Sequence, residues 1–289
     1  MEIISTISVL RETLQGRQPV AFVPTMGNLH QGHIALVEQA RRHGRYVVVS
    51  IFVNPLQFGP NEDLAKYPRT LEEDCRKLMA AGADVVFTPS VEELFPSPQQ
   101  FQVEPPPVAN ELCGAFRPGH FRGVVTIVLK LFNIVQPACA VFGKKDYQQL
   151  YLIRSMVREL NVPVEIMAGE TIRSGDGLAL SSRNGYLNPA ERAEAPRLQR
   201  NLAQIRQAIE SGRCDFAALE AAATRDLNSN GWKVDYISVR NADTLQPASC
   251  GDPLQVVLGA AWLGTTRLID NLEILVNSKT ICIAPAGDI

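Results

Sequence analysis

Two of the chain's four histidines stand three residues apart in "VPTMGNLHQGH", Val23 to His33, where a short apolar run gives way to a polar one. Imidazoles beside a turn that opens a helix suit an anion. The first helical amides have free N–H groups and partial positive charge, and each imidazole adds a donor. A protonated imidazole would also offset charge gathering on a phosphoryl group. Gly27 and Gly32 remove side chains where a ligand would approach the backbone. Metal binding is the competing chemistry for His30 and His33, and it needs two further ligands. Cys113 and His120 in "LCGAFRPGH" do not stand at a zinc spacing. Phosphate handling is the preferred reading, and a purely structural pair is the alternative.

Three other stretches carry chemistry of a compatible kind. In "FGKKDYQQL", Gly143 permits a tight turn, and Lys144, Lys145 and Asp146 cluster where a helix begins. One lysine is then available to a phosphate, while Asp146 suits a ribose hydroxyl or the helix cap. "LALSSRNGYL" sets the hydroxyls of Ser181 and Ser182 beside the guanidinium of Arg183, a fixed fork that matches a pyrophosphate. "FVNPLQF" places two neutral amides, Asn54 and Gln57, on a loop after a strand. Such amides orient a small hydroxy acid without the electron withdrawal that an arginine clamp imposes on a nucleophilic carboxylate. The carboxylates Glu62, Asp63, Glu72, Glu73 and Asp74 surround a helix start, where acidic side chains commonly serve the dipole.

The elements that must position these groups alternate. Short β-branched runs begin at Pro19 and Tyr46, with another at Asp84 to Pro89, and helical patterns cover about Gln31 to Arg42 and Thr70 to Gly82. The run Val124 to Val135 is long enough for a buried helix. It precedes a strand in "ACAVFG", a helix in "YQQLYLIRSMVREL" and a strand in "VPVEIM". Uninterrupted apolar strands between helices predict an α/β domain, a parallel sheet with helices on both faces, over residues 1–174. Ligands of such sheets collect at the carboxyl ends of the strands. Beyond about Ser174 the character changes. One long polar helix is expected from Pro189 and a second at "DFAALEAAATRDLNS", followed by strands in "VDYISVRNA", "LQVVLGAAWLG" and "TRLIDNLEI". These predict a smaller C-terminal α+β domain over 175–289.

Composition fits this picture. Hydrophobic residues make up 46% of the 289 and the formal net charge is −2, so no basic footprint points to nucleic acid. No apolar run approaches the ~20 residues of a membrane span, and "MEIISTISVL" lacks a cationic leader pattern. Six scattered cysteines, Cys75, Cys113, Cys139, Cys214, Cys250 and Cys282, read as reduced thiols of a cytoplasmic protein.

The HxGH pattern after a strand resembles the signature of the nucleotidylyl-transferase superfamily. The blocks "PTMGNLHQGH", "SIFVNPLQFGPNEDLAKYPRT", "LCGAFRPGHFRGVVTIVLKLFNIVQP", "FGKKDYQQL" and "SSRN", in that order, resemble the pantoate–β-alanine ligase family from about residue 20 to 190. The resemblance implies a Rossmann-like N-terminal domain and a homodimer. It also implies a reaction in which pantoate and ATP, with Mg2+, give pantoyl adenylate and pyrophosphate, after which β-alanine displaces AMP. By the same match, ATP is held by Met26, Gly27, Asn28, Leu29, His30, Gln31, Gly32 and His33, by Gly143, Lys144, Lys145 and Asp146, and by Ile172, Leu180, Ser181, Ser182 and Arg183. The catalytic set is His30, His33, Lys145, Ser181, Ser182 and Arg183. Pantoate meets Pro24, Thr25, Asn54, Gln57 and Gln149, with Gln57 also near β-alanine, and Asp74 with Glu73 helps hold Mg2+. His120 and Arg122 order a loop near the pantoate pocket. Lys144 departs from the glutamate usual in the family, and Leu180 replaces a methionine. A dinucleotide-forming adenylyltransferase and a non-catalytic nucleotide-binding module are the alternatives. A class I tRNA synthetase is disfavoured by the charge and by the absence of a Lys-Met-Ser-Lys-Ser loop.

Overall fold

The computed structural model describes residues 1–43, 46–60, 62 and 64–276; Asp63 and Cys282 lie outside the described residues. The chain divides into two compact units, Met1–Ile172 and Arg173–Ile289.

The first unit begins with β1 (Glu2–Ile4) and α1 (Ile7–Leu14), followed by β2 (Val20–Thr25), α2 (Gln31–His43), β3 (Tyr46–Ile51), α3 (Leu71–Ala80), β4 (Val85–Phe87) and α4 (Val91–Leu94). It continues through α5 (Cys113–Phe116), α6 (His120–Val135), β5 (Cys139–Gly143), α7 (Tyr147–Glu159) and β6 (Glu165–Gly169). The six strands form one sheet in the order β1-β4-β3-β2-β5-β6, and every pairing is parallel. Side chains of a strand alternate between faces. Ala21, Val23, Val47, Val49 and Val141 pack into a cluster with Val37 and Ala40 of α2 and Leu78 of α3. The residues between them face the other way, where the ring of Phe132 on α6 meets Phe22 and Phe142 edge-on at 6.4 and 6.3 Å. Helices therefore cover both faces, as the apolar strands require.

The order of the strands locates the site. From β2 the chain builds outward through β3 to β4, then crosses to the other side of β2 to lay down β5 and β6. The crevice at the carboxyl ends of β2 and β5 is thus the topological switch point, where doubly wound sheets bind ligands.

The second unit contains α8 (Pro189–Glu194), α9 (Arg197–Glu210) and α10 (Phe216–Ser229), then an antiparallel meander of β7 (Trp232–Asn241), β8 (Leu254–Leu263) and β9 (Thr266–Leu275). Leu198, Leu202, Ile205 and Ile209 of α9 and Leu219, Ala223 and Leu227 of α10 bury against Ile237, Val239, Val257 and Ile274 of the sheet.

Two expectations are corrected, and one pair of elements is added. The single helix expected from Pro189 is two, broken at Ala195 and Pro196. Proline has no N–H to continue the ladder and disfavours helical backbone at the residue before it. The sixth strand sits at Glu165–Gly169, later than "VPVEIM". The third ends at Ile51, ahead of the turn that holds Asn54. The pair β1 and α1 was not anticipated, because a three-residue edge strand carries too short a pattern to read. No helix of the described residues is long and apolar enough to cross a membrane. Cys75, Cys113, Cys139, Cys214 and Cys250 are free thiols.

Candidate active site

The histidine loop leaves β2 through two consecutive left-handed residues, Gly27 (φ 83) and Asn28 (φ 51). Glycine adopts this conformation freely, and asparagine is among the few other residues that visit it often. The turn exposes the amides of Asn28 and Leu29, and the carboxylate of Asp74 accepts both, at 2.8 and 2.7 Å. Thr70 donates its hydroxyl to Asp74 at 3.1 Å. One turn further along α3, Lys77 donates to the Leu29 carbonyl at 2.7 Å. Positions three apart share a helix face, so α3 grips the loop from both sides with one acid and one base.

This arrangement bears on the magnesium assignment. Asp74 is 1% exposed, and its two oxygens are engaged by the loop amides. Glu73 turns outward to Lys77 at 2.8 Å, which holds its carboxyl below the usual range. The two carboxylates do not converge, and no group of three or more ligating side chains able to hold a metal ion occurs among the described residues. The donor set at this corner does not fit a protein-held cation. The glycines also have a packing role. A side chain at Gly27 would press on Ile51 and Asp74, and one at Gly32 would press on the His30 ring, so both answer to internal packing.

His30 and His33 lie ring against ring, with centroids 4.1 Å apart. The amide of Gly32 donates to Nδ1 of His30 at 3.1 Å, and the amide of His30 donates to Nδ1 of His33 at 3.3 Å. A backbone N–H can only donate, so both Nδ1 atoms are lone-pair acceptors and each neutral ring carries its proton on Nε2. Burial and then the charge of Lys145 hold His30 at about 4, and burial, the neighbouring His30 ring and Lys145 hold His33 at about 3. The two rings are therefore neutral, with N–H groups of fixed direction.

Lys145 enters from the end of β5, in a single helical turn over Lys144–Asp146. It lies 3.9 Å from Asp146, and its charge reaches both imidazoles. Lys144 pairs with Glu170 at 2.7 Å. The lysine in the family's glutamate position is thus directed to a carboxylate just past β6.

Asn54 and Gln57 occupy a tight turn at Pro55–Gln57 after β3. Asn54, 1% exposed, accepts from the Leu56 amide at 3.2 Å and donates to the Gly123 carbonyl at 3.2 Å and to Oε1 of Gln57 at 3.0 Å. It shapes the turn. Because Oε1 of Gln57 takes that bond, its NH2 group is the outward donor, and it reaches Sδ of Met26 at 3.2 Å. A side chain at Gly123 would collide with the Leu56 carbonyl, so this position of α6 must be glycine for the turn to seat. Thr25 donates to the Ser50 carbonyl at 2.7 Å and accepts from Gly27, a support for the loop that follows Pro24. Gln149 stands in the first turn of α7. Its neighbour Gln148, unnoticed in the sequence, is buried and donates to the carbonyls of Val108 and Glu111 while accepting from Cys113. No periodic signal separates two adjacent glutamines; only their faces do.

In the second unit, Ser181 caps a turn over Ser182–Tyr186 by accepting from the Arg183 amide at 3.2 Å. Asn184 donates to the Ala179 carbonyl, and Ala179 bridges Arg173, which is gripped by the buried Asp270 at 2.6 and 2.8 Å. The Ser-Ser-Arg segment is therefore anchored from below on β9. Ile172 follows β6 at the end of the first unit, and Leu180 is half-buried just ahead of this turn.

A family model for pantoate-beta-alanine ligase matches residues 2–273. The chain belongs to the pantoate–beta-alanine ligase family. It is an enzyme of that family, a carbon–nitrogen ligase joining pantoate and β-alanine. It is 61% identical to the pantothenate synthetase of Methylobacillus flagellatus, over 94% of this chain and 98% of that one. The crystal structure of pantothenate synthetase from Thermus thermophilus superposes with a TM-score of 0.91 at 46% identity, covering 95% of this chain and all of the other. The pantoate-beta-alanine ligase of Francisella tularensis, crystallised with beta-gamma ATP and beta-alanine, gives a TM-score of 0.80 at 36% identity, over 94% and 97% of the two chains. The family thus shares the architecture as well as the sequence.

Proposed function

We propose that the enzyme works through an acyl adenylate. The pantoate carboxylate attacks the α-phosphorus of ATP, the bond to the bridging oxygen breaks, and pyrophosphate leaves. The amine of β-alanine then adds to the mixed anhydride, AMP departs with the C–O bond electrons, and the amide of pantothenate remains. One observation carries the reading: two neutral imidazoles with fixed Nε2–H donors and a nearby Lys145, at the switch point of a parallel sheet. That constellation suits a polyphosphate whose charge grows as it leaves.

Within this reading His30, His33 and Lys145 meet phosphate oxygens, and Ser181, Ser182 and Arg183 donate to the pyrophosphate. The loop from Met26 to Leu29, with Gln31, Gly32, Gly143, Asp146, Ile172 and Leu180, cradles the nucleotide. Gln57 and Gln149 hold pantoate, with Pro24 and Thr25 beside it and Gln57 near β-alanine. Asn54 supports Gln57. Lys144, paired with Glu170, stands behind Lys145. Magnesium enters as the partner of ATP phosphates, since Asp74 and Glu73 are otherwise engaged. The family resemblance supports reading the enzyme as a cytoplasmic homodimer. With the imidazoles committed to phosphate, no residue of the assigned set is an obvious general base, and amide formation rests on positioning two bound reactants.

Isotope exchange tests the scheme. Without β-alanine, the enzyme should exchange labelled pyrophosphate into ATP only when pantoate is present. With β-alanine, AMP should appear in equal amount with pantothenate. Release of ADP and phosphate would instead mean attack at the γ-phosphorus.

A further inference from the structure

Behind the turn at Pro55–Gln57 runs a chain of side chains that the reaction scheme leaves unused. Glu62 receives two hydrogen bonds from Arg117, Nε at 2.8 Å and Nη2 at 2.5 Å. Nη1 of the same guanidinium lies 2.9 Å from Nε2 of His120. Nδ1 of His120 lies 2.9 Å from the main-chain carbonyl of Gln57. His120 is 8% exposed and opens α6, the helix whose Gly123 receives Asn54 of the same turn.

The donors along this chain can be assigned without ambiguity. A guanidinium only donates, so Nε2 of His120 is the acceptor and its proton is on Nδ1. Nδ1–H then donates to the Gln57 carbonyl. Glu62 completes the order by fixing the plane of the guanidinium through a two-point bond. From the other side, Asn54 donates to Oε1 of Gln57 and so sets which end of its amide faces outward. Gln57 is thereby held at its main-chain carbonyl by His120 and at its side-chain carbonyl by Asn54, leaving the NH2 group as the outward donor.

We propose that His120, oriented by Arg117 and Glu62, is a positioning residue that aims the Gln57 amide at pantoate. This rests on the reading of Gln57 as a pantoate ligand. The relay works only with a neutral imidazole, because a proton on Nε2 would face the Arg117 donor. Burial and the Arg117 charge hold His120 near 4, against the opposing effects of Glu62, Asp146 and the Gln57 carbonyl. A ring that stays neutral keeps the same tautomer throughout the range in which the enzyme meets its substrates.

The test compares His120→Ala, His120→Asn, His120→Gln, Gln57→Ala and the double variant His120→Ala/Gln57→Ala, by steady-state kinetics and thermal melting. Asparagine returns an amide N–H near the place of Nδ1, and glutamine returns a polar atom only near Nε2. His120→Ala should raise the KM for pantoate roughly tenfold, the loss of one aligned hydrogen bond, with the KM for ATP nearly unchanged. His120→Asn should recover most of that loss and His120→Gln little. The His120→Ala effect should vanish in the Gln57→Ala background, since a relay has nothing left to aim. If Gln57→Ala raises the pantoate KM and His120→Ala does not, the relay is overturned while the Gln57 assignment stands. If Gln57→Ala leaves the pantoate KM unchanged, the Gln57 reading falls and the proposal with it. Equal losses for both substrates, with no rescue by asparagine, would assign His120 to folding alone. Should His120→Ala fail to fold, the contrast between asparagine and glutamine decides the same question.

Discussion

A neutral imidazole with its proton on Nε2 offers a phosphate one directed hydrogen bond and no net charge, so His33 must act by direction. The amide of His30 holds the ring through Nδ1, and the ring of His30 flanks it. Positive charge in this part of the unit comes from Lys145 and Lys77, whose fields reach both rings and help keep them neutral. Donor and charge are thus supplied by different side chains. Removing the donor should hurt the transition state more than the bound ground state. His33→Ala should slow pantoate-dependent pyrophosphate exchange by ~10²–10³-fold, the usual loss for one such donor. ATP affinity, read by calorimetry without pantoate, should change far less. Full exchange in a variant of native stability would return the pair to a purely structural role.

At the scale of elements, α3 presents Asp74 and Lys77 on one face and Glu73 on the next. That spacing makes Asp74 the acceptor for the Asn28 and Leu29 amides and Lys77 the donor to the Leu29 carbonyl. Left-handed backbone carries a modest cost at Asn28, and these contacts offset it. The buried carboxylate fills the place that an anion would take among those amides. Asp74→Asn should therefore slow adenylation by loosening the histidine loop, and the Mg2+ concentration giving half-maximal rate should stay near wild type. A metal ligand would behave differently: its loss would raise that concentration, and excess Mg2+ would restore the rate. Titrating Mg2+ in both proteins at saturating ATP separates the two.

For the whole molecule, acid sensitivity follows from three buried or half-buried imidazoles. In the unfolded chain a histidine takes its proton near 6.5, whereas the fold holds His30 and His120 at about 4 and His33 at about 3. Between 6.5 and 4 the unfolded state binds more protons, so stability rises with pH across that window and levels off above it. The melting temperature should fall steadily from pH 7 to pH 4.5, and His120→Asn, with one imidazole fewer, should show a shallower fall. A flat profile over this range would mean that the rings are more open to water than their packing indicates.

What was legible in the sequence was periodicity and residue type. β-branched runs between helices gave the parallel sheet, and the turn formers after Ser174 marked a change of architecture. Histidines after a strand, lysines after another and a Ser-Ser-Arg turn gave the class of chemistry, because donors and charges of those kinds suit few ligands besides phosphates. Pairing across the chain was not legible, since it depends on which faces meet. Asp74, which the family resemblance offered to magnesium, could not be given a partner from sequence, because a carboxylate looks the same whether it meets an ion or two amides. The fold brings α3 under the histidine loop, where Asp74 accepts both amides. Protonation was equally hidden: a histidine's charge depends on burial and on a partner lysine from a distant strand. The tie from Glu62 through Arg117 and His120 to Gln57 joins residues up to 63 positions apart. Local pattern fixes which way a side chain faces along its own element, and only packing decides what it faces.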